Sequence, residues 1–354
     1  MNLIKITKLL TENNCDALIL FNESNMHYAC GFSPSEGAVI VTKDKGYHIV
    51  DSRYTETAQT HAKESGLEVI EFTDMDKTVI EIVKKHGTNT LLFENETISL
   101  SLYNKLKKWL PDVTLKELGN GLMKLRNVKE QWEIDLIKTA NSIAEKSFIE
   151  LLNDVQAGKT EKELAALFDY YMAKNGSHGL SFDTILLTGT HTSMPHGVPD
   201  NRKIKNGDFV LFDFGATYNG YHSDMTRTVA VGYATDEMKT AYDLVLEAQL
   251  AGIKALEAGV KCADVYKAAK DVLESENMSK YFRHGLGHGV GIEIHEGYFA
   301  SPKSKDTFEI GNVTSIEPGI YIPDLFGIRI EDLLYLSPKG RENLSNVTKE
   351  LIIL

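Results

Sequence analysis

The sequence has few cysteines, no basic surplus and no long apolar run, and each shortage removes a class of protein. Three cysteines, Cys15, Cys30 and Cys262, occur in 354 residues. They are scattered, odd in number and without CxxC or zinc-finger spacing, so they read as reduced thiols in a reducing compartment. The formal net charge is −12. That argues against nucleic acid as the main partner, because phosphate binding requires a clustered basic surface. No apolar run approaches the roughly 18 residues that a membrane span needs. The N-terminal stretch mixes Lys5, Lys8, Glu12 and Asp16 among its apolar residues and lacks the core and cleavage site of a signal peptide. The expectation is a cytoplasmic protein with neither nucleic acid nor membrane as partner.

What is present suits a globular chain of two domains. The hydrophobic fraction is 42% and the charged fraction 25%, both ordinary for such proteins. The first third alternates patterns: a helix over 3–14, a strand at 17–21, a hairpin of 37–42 with 47–50, a helix over 52–62, strands at 69–72 and 90–93, and a helix over 76–86 between them. Pro111 and the run Gly119-Asn120-Gly121 place a boundary near Arg126, giving an α/β domain over 1–125 and a second domain over 126–354. The second domain reads as α+β. It has helices over 129–153, 160–175, 235–257 and 262–276, and strands at 181–188, 208–214, 226–232, 313–316 and 328–336. Thr160 followed by Glu163 is a capping-box pattern. Two helices followed by strands occur twice, which hints at a duplicated half.

Five residues stand out chemically. Asp213 sits inside the apolar run Phe209-Val210-Leu211-Phe212-Asp213-Phe214, where an acid is costly unless paired or bound to a cation. Asp224 follows after the turn Tyr218-Asn219-Gly220, a spacing that would bring the two acids face to face on adjacent strands. Glu317 and Glu331 end apolar strands. His288 lies in a segment with Gly285, Gly287, Gly289 and Gly291, a period of two that suits extended chain with one bare face against a close neighbour. Four glycines exclude a helical zinc motif through His284 and His288, and the dinucleotide fingerprint is incomplete. Each acid alone has a plainer reading: a salt bridge with Arg227 or Arg329, or a turn. Together, four carboxylates carry −4, the charge that two divalent cations balance. Carboxylate ligation with one imidazole and no thiolate best matches Mn2+, with Co2+, Fe2+ and Zn2+ as alternatives.

The chain resembles the family containing aminopeptidase P, prolidase and creatinase. The likeness rests on Met194-Pro195-His196-Gly197, Asp213-Phe214-Gly215, Ser223-Asp224-Met225-Thr226-Arg227-Thr228, His284-Gly285-Leu286-Gly287-His288-Gly289, His295-Glu296, Glu317-Pro318-Gly319-Ile320-Tyr321 and Arg329-Ile330-Glu331-Asp332. Tyr28-Ala29-Cys30-Gly31-Phe32 and Asp51-Ser52-Arg53-Tyr54 resemble the family's N-terminal domain; Asp51 and Arg53 read as a local ion pair. The resemblance implies a C-terminal pita-bread catalytic domain behind a smaller creatinase-like α/β domain that mediates homodimerisation and completes the neighbour's active-site mouth. It implies that Asp213 holds one metal, Asp224 and Glu331 bridge two, and His288 and Glu317 hold the second. Catalytic roles fall to His196, His284, His295, Glu317 and Arg329, and substrate contacts to His196, His284, His295 and Tyr321. For Arg329 and Tyr321, orientation of Asp224 or Glu331 is an equal alternative.

The activity implied is hydrolysis of the N-terminal Xaa-Pro bond of peptides with proline second, by an Xaa-Pro aminopeptidase. An Xaa-Pro dipeptidase (prolidase) is the alternative, and a metal-free binding module on the same fold is the rival from another class. Glu317 would move the proton and His295 would hydrogen-bond the reacting carbonyl. Because a cis Xaa-Pro bond reverses the approach of the leaving ring, only the trans isomer should be cleaved. A locked cis analogue should resist the enzyme in a turnover assay; cleavage equal to the trans peptide would contradict this.

Overall fold

The computed structural model describes residues 2–354 and divides into two units, Met1–Arg126 and Asn127–Leu354. In the first unit a six-stranded sheet runs in the order Glu68–Glu71, Gly46–Val50, Gly37–Thr42, Ala17–Leu20, Thr90–Phe93, Thr114–Glu117. Its centre is antiparallel where the hairpin forms, and its outer pairs are parallel. Ala17–Leu20 is buried along its whole length, as expected of a central strand covered on both faces. The helices Leu3–Glu12, Thr55–Ser65 and Met75–Lys85 fall near their expected places. Glu23–Cys30 and Leu100–Trp109 are additional helices. Asn22 and Ser99 cap them, each accepting from a backbone N–H three residues on. Arg53 bonds the neighbouring Asp51 through Nε and Nη2.

The second unit is built on two helix pairs, Gln131–Leu151 with Glu161–Lys174 and Asp236–Ala255 with Cys262–Ser275. Each pair covers its own apolar core. One contains Ala144, Phe148, Phe168, Phe212 and Phe214. The other contains Val245, Val265, Ile316, Ile328 and Ile330. Among the described residues, the paired strands of this unit are all antiparallel. Thr160 and Glu163 form the capping box. Mixed helix and sheet in a two-helix-pair arrangement is the α+β pita-bread fold.

Three expectations change. The stretch 181–188 is strand only over Ile185–Thr188. The stretch 328–336 is not one strand. Phe326–Arg329 pairs with Gly319–Ile322, whereas Asp332–Ser337 pairs with Val313–Ile316. The chain therefore changes sheet at Ile330-Glu331, where periodicity alone sees continuous apolar character. The two aspartates are also diagonal rather than face to face. Asp213 lies opposite Thr226, and Asp224, two residues before Thr226, shares that face. Asn219 and Gly220 both have positive φ, 46° and 77°, as the tight turn between Ala216–Tyr218 and Tyr221–His222 demands.

Among the described residues no helix is long and apolar enough to cross a membrane. Phe148 supports the strand that carries Asp213: its ring stacks on Phe214 at 5.3 Å and meets Phe212 edge-on at 5.4 Å. Phe148→Ala should lower stability by about 3–5 kcal/mol, read as a shift of the urea-unfolding midpoint at constant slope.

Candidate metal centre

Strand alternation dictates where Asp213 points. Phe212 and Phe214 turn into the apolar core, so Asp213 between them turns the other way, towards a cavity of about 480 Å³. Asp224, His288, Glu317, Glu331 and Arg329 line the same cavity. Asp224, His288 and Glu331 each offer a ligand atom within 4.8 Å of the others. His288 Nε2 lies 3.4 Å from both Asp224 Oδ2 and Glu317 Oε1.

The imidazole is set up as a ligand. His288 Nδ1 donates to the carbonyl of Gly289 at 3.1 Å, which leaves the lone pair on Nε2, facing the acids. Burial pushes its pKa down to about 4, with His295 adding to the effect, so the ring is neutral. The alternate glycines give its strand the bare face expected of them. A Cβ on Gly287 would lie 1.9 Å from the Ser315 carbonyl oxygen, and one on Gly289 would lie 2.0 Å from that of Glu296.

The carboxylates form a crowded, mutually repelling group. Burial pushes Glu317 up to about 8, with Asp213 adding to it and Arg329 opposing. Burial, then Asp213 and Glu317, lift Asp224 well above the carboxylate range. Burial, then Asp224, Glu317 and Asp213, do the same for Glu331. Two buried oxygens, Asp213 Oδ1 and Glu331 Oε1, accept no hydrogen bond. Orphaned oxygens among crowded carboxylates, beside an imidazole with its lone pair exposed, suit divalent cations. The residues fit the group.

The remaining expected residues separate by position. His196 and His295 are exposed and line the cavity; the His295 ring meets His288 at 4.3 Å. His284 lines it too, but its nitrogens are engaged. Nδ1 donates to the Gly285 carbonyl at 2.7 Å, and Nε2 accepts from the Tyr321 hydroxyl at 2.9 Å. Burial pushes its pKa down to about 3, with Arg329 contributing, so it offers the cavity a neutral ring face. Tyr321 is 1% exposed and lies behind the cavity lining, so direct substrate contact, the reading based on resemblance, does not follow from its position. Arg329 donates to Tyr321 at 2.6 Å, to Thr226 at 3.0 Å and to Asp213 at 2.5 Å. It thus orients Asp213 directly and bears on Glu331 through Thr226, with no bond to Asp224.

Four supporting residues escaped the sequence reading. Thr226 Oγ1 donates to Glu331 at 2.8 Å, and Ser315 Oγ donates to Glu317 and accepts from His288 N, both at 3.1 Å. Buried Lys129 bonds Glu296 at 2.8 Å, while the other Glu296 oxygen accepts from Ile292 N and Glu293 N. Hydroxyls in apolar strands carry no sequence signal. A charged residue directly after His295 was the one available clue.

Comparison with known proteins identifies the family. Residues 135–338 match the model of "Metallopeptidase family M24", and residues 3–128 match the "Creatinase/Prolidase N-terminal domain". A protein of Pyrococcus furiosus named Xaa-Pro dipeptidase is 36% identical over 349 residues, 98% of each chain. The solved structure of an Xaa-Pro dipeptidase from Bacillus anthracis is 35% identical with a TM-score of 0.94, covering 100% of both chains. That of an X-Pro aminopeptidase from Thermotoga maritima is 33% identical with a TM-score of 0.93, covering 98% of this chain and 100% of the other.

Metal-free protein should be pH-sensitive in a defined direction. Folded, Glu317 keeps its proton to about pH 8; its ordinary value, which the unfolded chain regains, is 4.5. The folded state then binds more protons between these values, so its stability falls as pH rises through that window. Thermal unfolding of metal-stripped protein should show Tm falling across the window, and the fall should shrink in Glu317→Gln. An equal fall in both proteins would remove Glu317 as its source.

Proposed function

This chain belongs to metallopeptidase family M24, and from that premise we propose that it is a two-metal exopeptidase cleaving the bond before proline at the second position of a peptide. The observation that carries the reading is the group of buried carboxylates with orphaned oxygens, opening onto a cavity lined by exposed histidines. Asp213 would hold one ion, Asp224 and Glu331 both, and His288 and Glu317 the second. When bound, the two cations, Mn2+ by donor chemistry, would supply Lewis acidity and lower the pKa of a water.

The chain's own groups do the rest. Glu317, whose Oε1 is held by Ser315, takes the proton of the attacking water and passes it to the leaving nitrogen. His295 hydrogen-bonds the carbonyl on which negative charge develops, and His196 lines the proline side of the cavity. His284 gives the proline ring an apolar face, since its nitrogens are committed. Arg329 and Tyr321 act as positioning residues for Asp213 and His284. Proline suits such a site because its nitrogen carries no N–H once acylated and its φ is fixed. The three buried free thiols support a reducing, cytoplasmic setting, and the family likeness supports a homodimer.

Peptide length divides the reading. The names of the Pyrococcus furiosus and Bacillus anthracis proteins favour Xaa-Pro dipeptides, where the sequence reading put longer peptides first. One observation supports the aminopeptidase. Among the described residues, Arg329 is the one Lys or Arg lining the cavity, and it is engaged with Tyr321, Thr226 and Asp213. A dipeptide's terminal carboxylate thus has no uncommitted Lys or Arg to meet there. Hydrolysis of Leu-Pro against Arg-Pro-Pro, by protein stripped of metal and reloaded with Mn2+, decides the matter. Metal-dependent cleavage confined to Leu-Pro makes a dipeptidase, and release of the first residue of Arg-Pro-Pro makes an aminopeptidase. Inactivity on both with metal bound removes the Xaa-Pro reading.

A further inference from the structure

His196 reaches the cavity from an exposed loop, and an exposed loop by itself holds a side chain poorly. The loop's two ends, however, converge on one carboxylate outside the metal centre. Glu161, the first residue of helix Glu161–Lys174, is 0% exposed. Its Oε1 accepts from Thr188 N at 2.7 Å and its Oε2 from Asp200 N at 3.0 Å. Both oxygens lie 2.9 Å from His191 Nδ1. Between Thr188 and Asp200 the chain makes the 3-10 turn Gly189–Ser193 and then presents Pro195, His196 and Val198 to the cavity.

The contact continues to the apex. A Cβ on Gly197 would come within 3.2 Å of His191 Nε2 and 2.8 Å of Leu187, so the His191 ring lies directly beneath the backbone next to His196. The group Glu161, His191 and Asp200 also has the spacing of a metal site, but the Glu161 oxygens already face three N–H donors, which a cation would have to displace. A helix N-terminus further favours the anion. Hydrogen bonding from three donors, not ligation, accounts for the cluster.

We propose that Glu161 is a positioning residue for the peptidase reaction, closing the loop 188–200 and holding His196 in register with the metal centre through His191 and Gly197. The proposal rests on the Xaa-Pro peptidase reading for its kinetic consequence, but not for its structural one. A displacement of about 1 Å at a reacting group costs on the order of a hundredfold in rate. Glu161→Gln keeps the size and loses the symmetric acceptor, so it should lower kcat/KM by about 10- to 100-fold. The metal content of the holoenzyme should remain that of the wild type.

The discriminating measurement is a double-mutant cycle with His196→Ala in the Mn2+-loaded holoenzyme. If Glu161 acts through His196, Glu161→Gln should cost less than about twofold once His196 is absent. Full additivity of the two losses, or wild-type kcat/KM in Glu161→Gln, overturns the proposal. His191→Gln provides the same cycle should Glu161→Gln fail to fold. Hydrogen exchange gives a reading independent of activity. The amides of Thr188 and Asp200 should exchange at least about tenfold faster in Glu161→Gln while those of Phe209–Phe214 are unchanged. Unchanged protection at Thr188 and Asp200 overturns the clamp. If the wild-type protein cleaves no Xaa-Pro peptide, the exchange result still decides the clamp.

Discussion

Four carboxylates crowded against one another, two of them buried and two partly so, are the constraint on which the rest of this structure depends. At this spacing they repel, and burial raises the cost of each charge further. Arg329 offsets part of the charge at Asp213. Elsewhere the fold leaves buried oxygens on Asp213 and Glu331 without partners. A core that holds such atoms in place is arranged around cations, and this unites the sheet edges, the glycine strand and the hydroxyls behind the acids into one device.

The device has a rigid part and a braced part. The candidate ligands come from strands or strand ends whose backs are packed into two apolar cores, so their positions follow from the cores. Ser315 and Thr226 then orient the carboxylates from behind. The exposed histidines sit on loops instead, and buried carboxylates hold both loops: Glu161 under the loop of His196, and Glu296 with Lys129 beneath that of His295. A metallopeptidase can in this way keep its metal chemistry fixed while its substrate-facing groups lie open to the cavity.

Much of this could be read in advance. Asp213 was visible because an acid amid phenylalanines on a strand is costly without a partner, and the two-residue glycine period announced the close approach to His288. The long amphipathic helices and the Thr160 capping box carry strong local signals. Helix Glu23–Cys30 does not: it has only eight residues, and although Met26, Ala29 and Cys30 share a helical face, buried Tyr28 lies off it and blurs the pattern. The stretch 328–336 misled because both of its strands are apolar and only their partners differ.

By itself, then, the sequence determined the chemistry on offer: which acids lie in apolar settings, which histidine lies on bare backbone, and that their summed charge asks for two divalent cations. It determined these because burial cost and side-chain period are local properties of a segment. Tertiary structure alone decided which donors meet which acceptors. It turned Arg329 towards Asp213, engaged both nitrogens of His284, withdrew Tyr321 from the cavity and brought Thr188, His191 and Asp200 onto Glu161. Apart from the bond of His284 Nδ1 to the adjacent Gly285 carbonyl, those pairings join residues well separated in the chain, and their partners are chosen by how sheets and loops pack, which no local pattern encodes.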